Sequence, residues 1–180
     1  MEQARAVRDF DGRLHGAHLQ ETGMRVGITG HRGLGADVGR SVREMIVAAV
    51  RAYDAAELVG VSCIADGPDA WFAEAVVEHG GRLEVVVPAA GYRDALPEWH
   101  HATFDALLGK ASATHVTGMG ESTPEAHMAG SEILVGLSDE LLAVWDGEPA
   151  RGFGGTADVV AYAERHGTPV RILWPEGATR

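Results

Sequence analysis

Three glycine-bearing loops hold the residues whose types and spacing could do chemistry. The first, Thr29-Gly30-His31-Arg32-Gly33-Leu34-Gly35, follows a short apolar run and precedes a helical pattern. Glycines let the backbone approach an anion, and the Arg32 guanidinium beside His31 matches a phosphate as a bidentate fork. The second is Ala65-Asp66-Gly67-Pro68-Asp69. Asp69 is read there as the cap of the next helix and Asp66 as a group able to hold a ribose hydroxyl. The third is Gly152-Phe153-Gly154-Gly155-Thr156, at the start of another helix. Helix N-termini present unpaired N–H groups and the positive end of the macrodipole, so Gly154, Gly155 and Thr156 form the strongest phosphate position. The competing reading is that Thr156 only caps the helix.

These loops predict a small nucleotide or nucleotide-derived phosphate as the ligand. Its contacts are expected at Gly30, His31, Arg32, Asp66, Gly67, Gly154, Gly155 and Thr156. Working carboxylates, if the ligand is turned over, are sought at Asp69, Glu132 and Asp158; Glu121, Glu125 and Glu132 each suit a general base near the end of the fourth strand, with an exposed charge at a helix start as the competing reading. His100 and His101 are adjacent and so diverge on a helix, and Cys63 is the only cysteine, so no metal site is expected.

The elements that must position these loops alternate regularly. Apolar runs at Arg25–Thr29, Glu57–Ile64, Leu83–Val87 and Leu141–Trp145 read as buried strands, Thr114–Thr117 as a weaker one, and Pro169–Trp174 as a sixth. Between them, Val38, Val42, Met45, Ile46, Ala49, Val50 and Tyr53 fall on one helical face. Further helices are predicted over Ala70–His79, from about Glu98, from Thr123 as N-cap with Pro124 in the first position, and over Thr156–His166. This order predicts a Rossmann-like α/β fold: a mostly parallel six-stranded sheet with helices on both faces and the ligand beyond the carboxyl ends of the strands. Residues 24–180 are read as one nucleotide-binding domain. Residues 1–23, which lack a clear period, are read as an N-terminal extension.

Composition narrows the partners. Fifteen Lys and Arg against 26 Asp and Glu leave a formal charge of −11, which gives duplex binding little electrostatic support. A lone cysteine fits a reducing cytoplasm, and no apolar run approaches a membrane span. A homo-oligomer is compatible with the chain.

Together, Val26-Gly27-Ile28-Thr29-Gly30-His31-Arg32, the Ala65–Asp69 turn, and Ser138–Gly147 leading into Gly154-Gly155-Thr156 resemble the SLOG superfamily, in particular its YspA/YpsA-like branch. That superfamily includes the cytokinin-activating phosphoribohydrolases ("lysine decarboxylase-like" proteins) and the DNA-processing protein of natural transformation. The resemblance spans most of residues 25–175. It implies a nucleotide-like ligand and, as an alternative to simple binding or sensing, cleavage of a nucleotide's N-glycosidic bond. The phosphoribohydrolase signature Pro-Gly-Gly-x-Gly-Thr-x-x-Glu is kept here at Gly155-Thr156, but its glutamate position is Val159, with Asp158 one residue early. Its Arg-Lys pair falls on Gly130-Ser131. Phosphate binding therefore transfers from the resemblance more directly than hydrolysis does.

Overall fold

A computed structural model describes residues 23–180, so the extension expected at the amino end lies outside the described residues apart from Gly23. Six strands form one sheet: β1 (Met24–Gly30), β2 (Leu58–Ser62), β3 (Arg82–Val87), β4 (Ala113–Val116), β5 (Glu140–Val144) and β6 (Val170–Ile172). Their order is β4-β3-β2-β1-β5-β6, and every pairing is parallel. The expectation of a mostly parallel sheet sharpens to a wholly parallel one.

The helices are α1 (Ala36–Arg51), α2 (Pro68–His79), α3 (Tyr92–Ala95), α4 (His101–Leu108), α5 (Pro124–Leu137) and α6 (Thr156–Arg165). Period-two alternation in the strands sends Val26 and Ile28 to one face, where they pack with Val42 and Ile46 of α1 and Phe72 and Val76 of α2. The opposite face carries Leu83, Val85 and Leu141 under Leu134 and Val135 of α5 and Val159 and Ala163 of α6. Burying an aliphatic or aromatic side chain of this size contributes about 1.5–3 kcal/mol, so these two cores hold the helices to the sheet. No helix among the described residues is long and apolar enough to cross a membrane.

Two element starts differ from expectation. Helix α2 begins at Pro68, not Ala70, and its N-cap is Gly67 at φ +93°, a left-handed conformation that glycine alone adopts cheaply. Asp69 therefore lies inside the first turn and is not the cap. The segment before Glu98, expected as a loop, carries the short α3, which stops at Ala95 because Pro97 forces Leu96 into extended backbone, and the helix expected from about Glu98 opens with a 3-10 turn over Glu98–His100 before α4.

The chain leaves β1 toward β4 on one side and returns to place β5 on the other. The switch in strand order thus falls between β1 and β5, whose carboxyl ends carry the first and third loops.

Candidate functional site at the strand-order switch

A cavity of about 290 Å³ opens at this switch point. The backbone of the first loop is pinned there, since the His31 N–H donates to the Val144 carbonyl at 3.0 Å. Gly30 packs so tightly that an added Cβ would stand 2.8 Å from Val144 Cβ and 2.9 Å from Pro68 Cβ. Its role is the close joining of β1, β5 and α2.

Three arginines line the cavity: Arg32, Arg151 and Arg180. Arg32 forms an ion pair with Asp66 Oδ1, which occupies one oxygen of the carboxylate assigned to a ribose hydroxyl. Arg180 forms an ion pair with Asp146, at 3.2 Å. Arg151 has no ion pair among the described residues and is exposed. A chain of net charge −11 thus gathers three guanidiniums on one small cavity.

The floor is the start of α6. Gly155 is its N-cap, so the Thr156 and Ala157 amides lack intrahelical acceptors. Thr156 is buried, and its hydroxyl has no hydrogen-bond partner among the described residues. Gly154 adopts φ +78°, and its N–H donates to Asp158 Oδ2 at 2.9 Å. That bond assigns both residues: Asp158 holds the loop from the first turn of α6 and is absent from the cavity wall, and the Gly154 amide is already used. Of the expected third-loop anchor, Thr156 and the first α6 amides stay available to an anion.

Glu132 is exposed and lies outside the cavity wall, because α5 turns His127, Ser131 and Leu134 inward. Gly67 also lies outside it, in a neighbouring groove with Asp66. His100 and His101 bind backbone carbonyls of Ile64 and Leu96 at 2.9 and 3.0 Å, as packed histidines do.

Asp69 is the one carboxylate on the cavity wall among the described residues. Desolvation pushes it up to about 7, against the pull of the Ala65 backbone and the Arg32 charge. Because the folded value exceeds that of an unfolded aspartate, about 3.9, the stabilising effect of its proton is full below that value and is lost as pH rises through 7. Asp69→Asn should therefore raise the melting temperature more at pH 8 than at pH 5. The gain at pH 8 is on the order of 2 kcal/mol, after allowing for water in the cavity. Equal shifts at both pH values would show that Asp69 is ionised throughout.

Sequence reasoning missed the polar cluster on the cavity's other wall. His31 Nε2 lies 2.9 Å from Asp146 Oδ1, and Arg180 donates to His31 Nδ1 at 3.0 Å. A guanidinium can only donate, so Nδ1 is unprotonated and Nε2–H faces the carboxylate. Burial holds the His31 pKa below its usual value, and the Arg180 and Arg151 charges add to this, while Asp146 opposes it. On the α5 side, His127 Nε2 lies 2.7 Å from Ser122 Oγ, and burial and then the Arg32 charge lower its pKa.

The positions that the resemblance singled out do reach the cavity, with other chemistry. Ser131 and Val159 both line it. At Gly130, an added Cβ would lie 2.9 Å from Pro88 Cγ, so the α5 backbone is pressed against the β3–α3 connection and no arginine fits there.

No protein-family model matches the sequence, and no curated protein matches it. Solved structures do. DNA processing protein A from Streptococcus pneumoniae aligns with a TM-score of 0.61 and 22% identity, over 84% of this chain and 50% of that one. The molybdenum cofactor binding protein from Rippkaea orientalis aligns at 0.54 and 16%, over 83% of this chain and 76% of that one. The molybdenum cofactor carrier protein from Chlamydomonas reinhardtii gives 0.52 and 17%, with the same coverage. The chain shares the fold of these proteins. It spans half the length of the DNA processing protein it matches. Within this fold, the loops after β1 and β5 face one cavity, as their place at the strand-order switch requires.

Proposed function

We propose that this chain binds a nucleotide-derived small molecule through its phosphate, in the cavity between the carboxyl ends of β1 and β5. The observation that carries the reading is the convergence of Arg32, Arg151 and Arg180 on the start of α6, where the Thr156 hydroxyl lacks a partner among the described residues. A phosphate there gains charge-assisted hydrogen bonds, the macrodipole and the unused helix amides together. That fold neighbours are named for binding a molybdenum cofactor and single-stranded DNA supports a ligand-binding role for such a scaffold.

Isothermal titration with ribose 5-phosphate and AMP tests it. Thr156→Val keeps the shape of the side chain and removes its hydroxyl, so affinity for either ligand should fall roughly 10-fold, as loss of one hydrogen bond to a charged group requires. Unchanged affinity would place the phosphate elsewhere, and no binding of either ligand by the parent protein would end the reading.

A hydrolytic reading has one observation in its favour: Asp69 lies on the cavity wall, and burial raises its pKa to about 7, which suits a group that gives a proton to a departing base. Against it stand Val159 and Ser131, where the phosphoribohydrolases carry their glutamate and lysine. Excess protein incubated with AMP, NAD and ADP-ribose should release no free base. Release that is lost in Asp69→Asn would establish the enzyme.

A further inference from the structure

A second concavity lies on the far side of the first loop, and nothing in the phosphate reading uses it. This groove, of about 410 Å³, is lined by Trp71 and Trp99, with Gly33, Asp66, Gly67 and Glu74 among its other walls. Trp99 is 73% exposed, although an indole ordinarily buries most of its surface.

The groove is firmly built. Trp99 sits in the 3-10 turn, next to His100, which is 2% exposed and whose Nε2 bonds the Ile64 carbonyl at 2.9 Å. Ile64 itself has φ +48°, a strained conformation for a β-branched residue, and its N–H is held by Ser62 Oγ at 2.9 Å. Trp71 is backed by the Arg43 guanidinium, 5.9 Å from its ring centroid. Buried polar contacts thus fix the strand end and the turn that present one of the two indoles to solvent.

The two concavities share a wall. Arg32 lines the phosphate cavity, while its ion-pair partner Asp66 and its neighbour Gly33 line the groove. At about 290 Å³ the phosphate cavity is at the small end of ligand pockets, so a nucleotide anchored there has to extend beyond it. The groove offers the exposed Trp99 indole for stacking, with the partly buried Trp71 as a second aromatic wall. It also offers two carboxylate oxygens, Asp66 Oδ2 and Glu74 Oε1, that accept no hydrogen bond among the described residues. A planar ring bearing an exocyclic amino group matches both features.

We infer that the groove between Trp71 and Trp99 is the base subsite, and that it takes an amino-bearing purine of a nucleotide whose phosphate lies in the neighbouring cavity. This rests on the phosphate reading. Base-on-aromatic stacking is strong enough to be read in affinity, and it is indifferent to the sugar phosphate.

Titration of the full chain with AMP and with ribose 5-phosphate separates the two claims. AMP should bind at least 10-fold more tightly than ribose 5-phosphate and quench tryptophan fluorescence. Trp99→Ala should lose roughly 10-fold in AMP affinity and most of the quench, leaving ribose 5-phosphate binding unchanged. Trp99→Phe should recover most of the loss. At 73% exposure Trp99 can be truncated without opening a core cavity, and an unchanged melting temperature checks this. Parental AMP affinity in Trp99→Ala, with ribose 5-phosphate still bound, would overturn the base subsite alone. Failure of both ligands to bind the parent protein would overturn the phosphate reading and the subsite together.

Discussion

Arg32→Ala should weaken ribose 5-phosphate binding about 100-fold, while Asp66→Asn should leave it unchanged or tighten it. The asymmetry follows from the ion pair between the two side chains. Removing the guanidinium deletes a charged donor to the phosphate, which costs about 1.5–3 kcal/mol. It also leaves the buried Asp66 carboxylate without its counter-charge, close to an incoming anion. At an effective dielectric constant near 20, a like charge several ångströms away costs on the order of 1–2 kcal/mol more. The sum is about 3 kcal/mol, or roughly 100-fold. Asp66→Asn instead frees Arg32 and removes a negative charge from the cavity's rim. Calorimetric titration at low and moderate salt reads both variants, and the Arg32→Ala deficit should shrink as salt rises. If Arg32→Ala binds within threefold of the parent, Arg32 belongs to Asp66 structurally and the phosphate is held by other groups.

That ion pair also marks how far the sequence could be read. Strands β1, β2, β3 and β5 are legible because a parallel sheet covered on both faces demands nearly continuous apolar runs, and these four have them. At the edge the rule relaxes. Strand β6 has only three residues, with Ile172 46% exposed, so the longer run expected there gives way to irregular backbone. Glycine-rich turns announce the first and third loops, since few other residues suit tight strand-to-helix connections. What those turns bond to is set by strand order and not by local pattern. Arg32 and Asp66 are 34 residues apart, and His31 and Asp146 are 115 apart. A signal was nonetheless present. In a doubly wound sheet that reverses after β4, the strand ending in Trp145-Asp146-Gly147 comes to lie beside the strand ending in Gly30-His31, which brings the histidine and the aspartate together. The Gly154–Asp158 bond was hidden for a different reason. An acidic residue in a helix's first turn serves a ligand or its own backbone equally well, and only the loop's conformation decides between them.

Asp146→Ala should be among the most destabilising single changes in the described part of the chain, by about 2–4 kcal/mol. The carboxylate accepts from His31 Nε2, forms an ion pair with Arg180, and takes a hydrogen bond from the Glu148 N–H at 3.1 Å, at a side chain only 8% exposed. His31 is 7% exposed and edge-on to Trp174, with ring centroids 5.8 Å apart. It cannot turn to water when its acceptor goes, and the Arg180 guanidinium loses its counter-charge in the same step. A buried donor left unpaired costs about 1–3 kcal/mol, and an uncompensated charge adds to that. For a chain of this size the loss corresponds to a fall in melting temperature of roughly 5–15 °C. The same cluster sets an acid limit on stability. His31 is held below its ordinary value in the folded state, so below about pH 6.5 the unfolded chain takes up a proton that the folded chain refuses, and stability drops. His127 acts in the same direction, for it too is lowered by burial. Asp146 is itself held below the usual carboxylate range. Desolvation, its largest influence, is outweighed by the bonds from His31 and Glu148 together with nearby positive charge, so its contribution is present above about pH 4 and lost on further acidification. With the opposing contribution of Asp69 removed, in Asp69→Asn, melting curves between pH 4.5 and 8 should therefore slope downward into acid. His31→Asn should flatten the part of that slope between about pH 5 and 6.5, where His127 alone of the two then remains. If Asp146→Ala melts with the parent, the cluster is solvated and the wall it forms beside the phosphate cavity is not rigid.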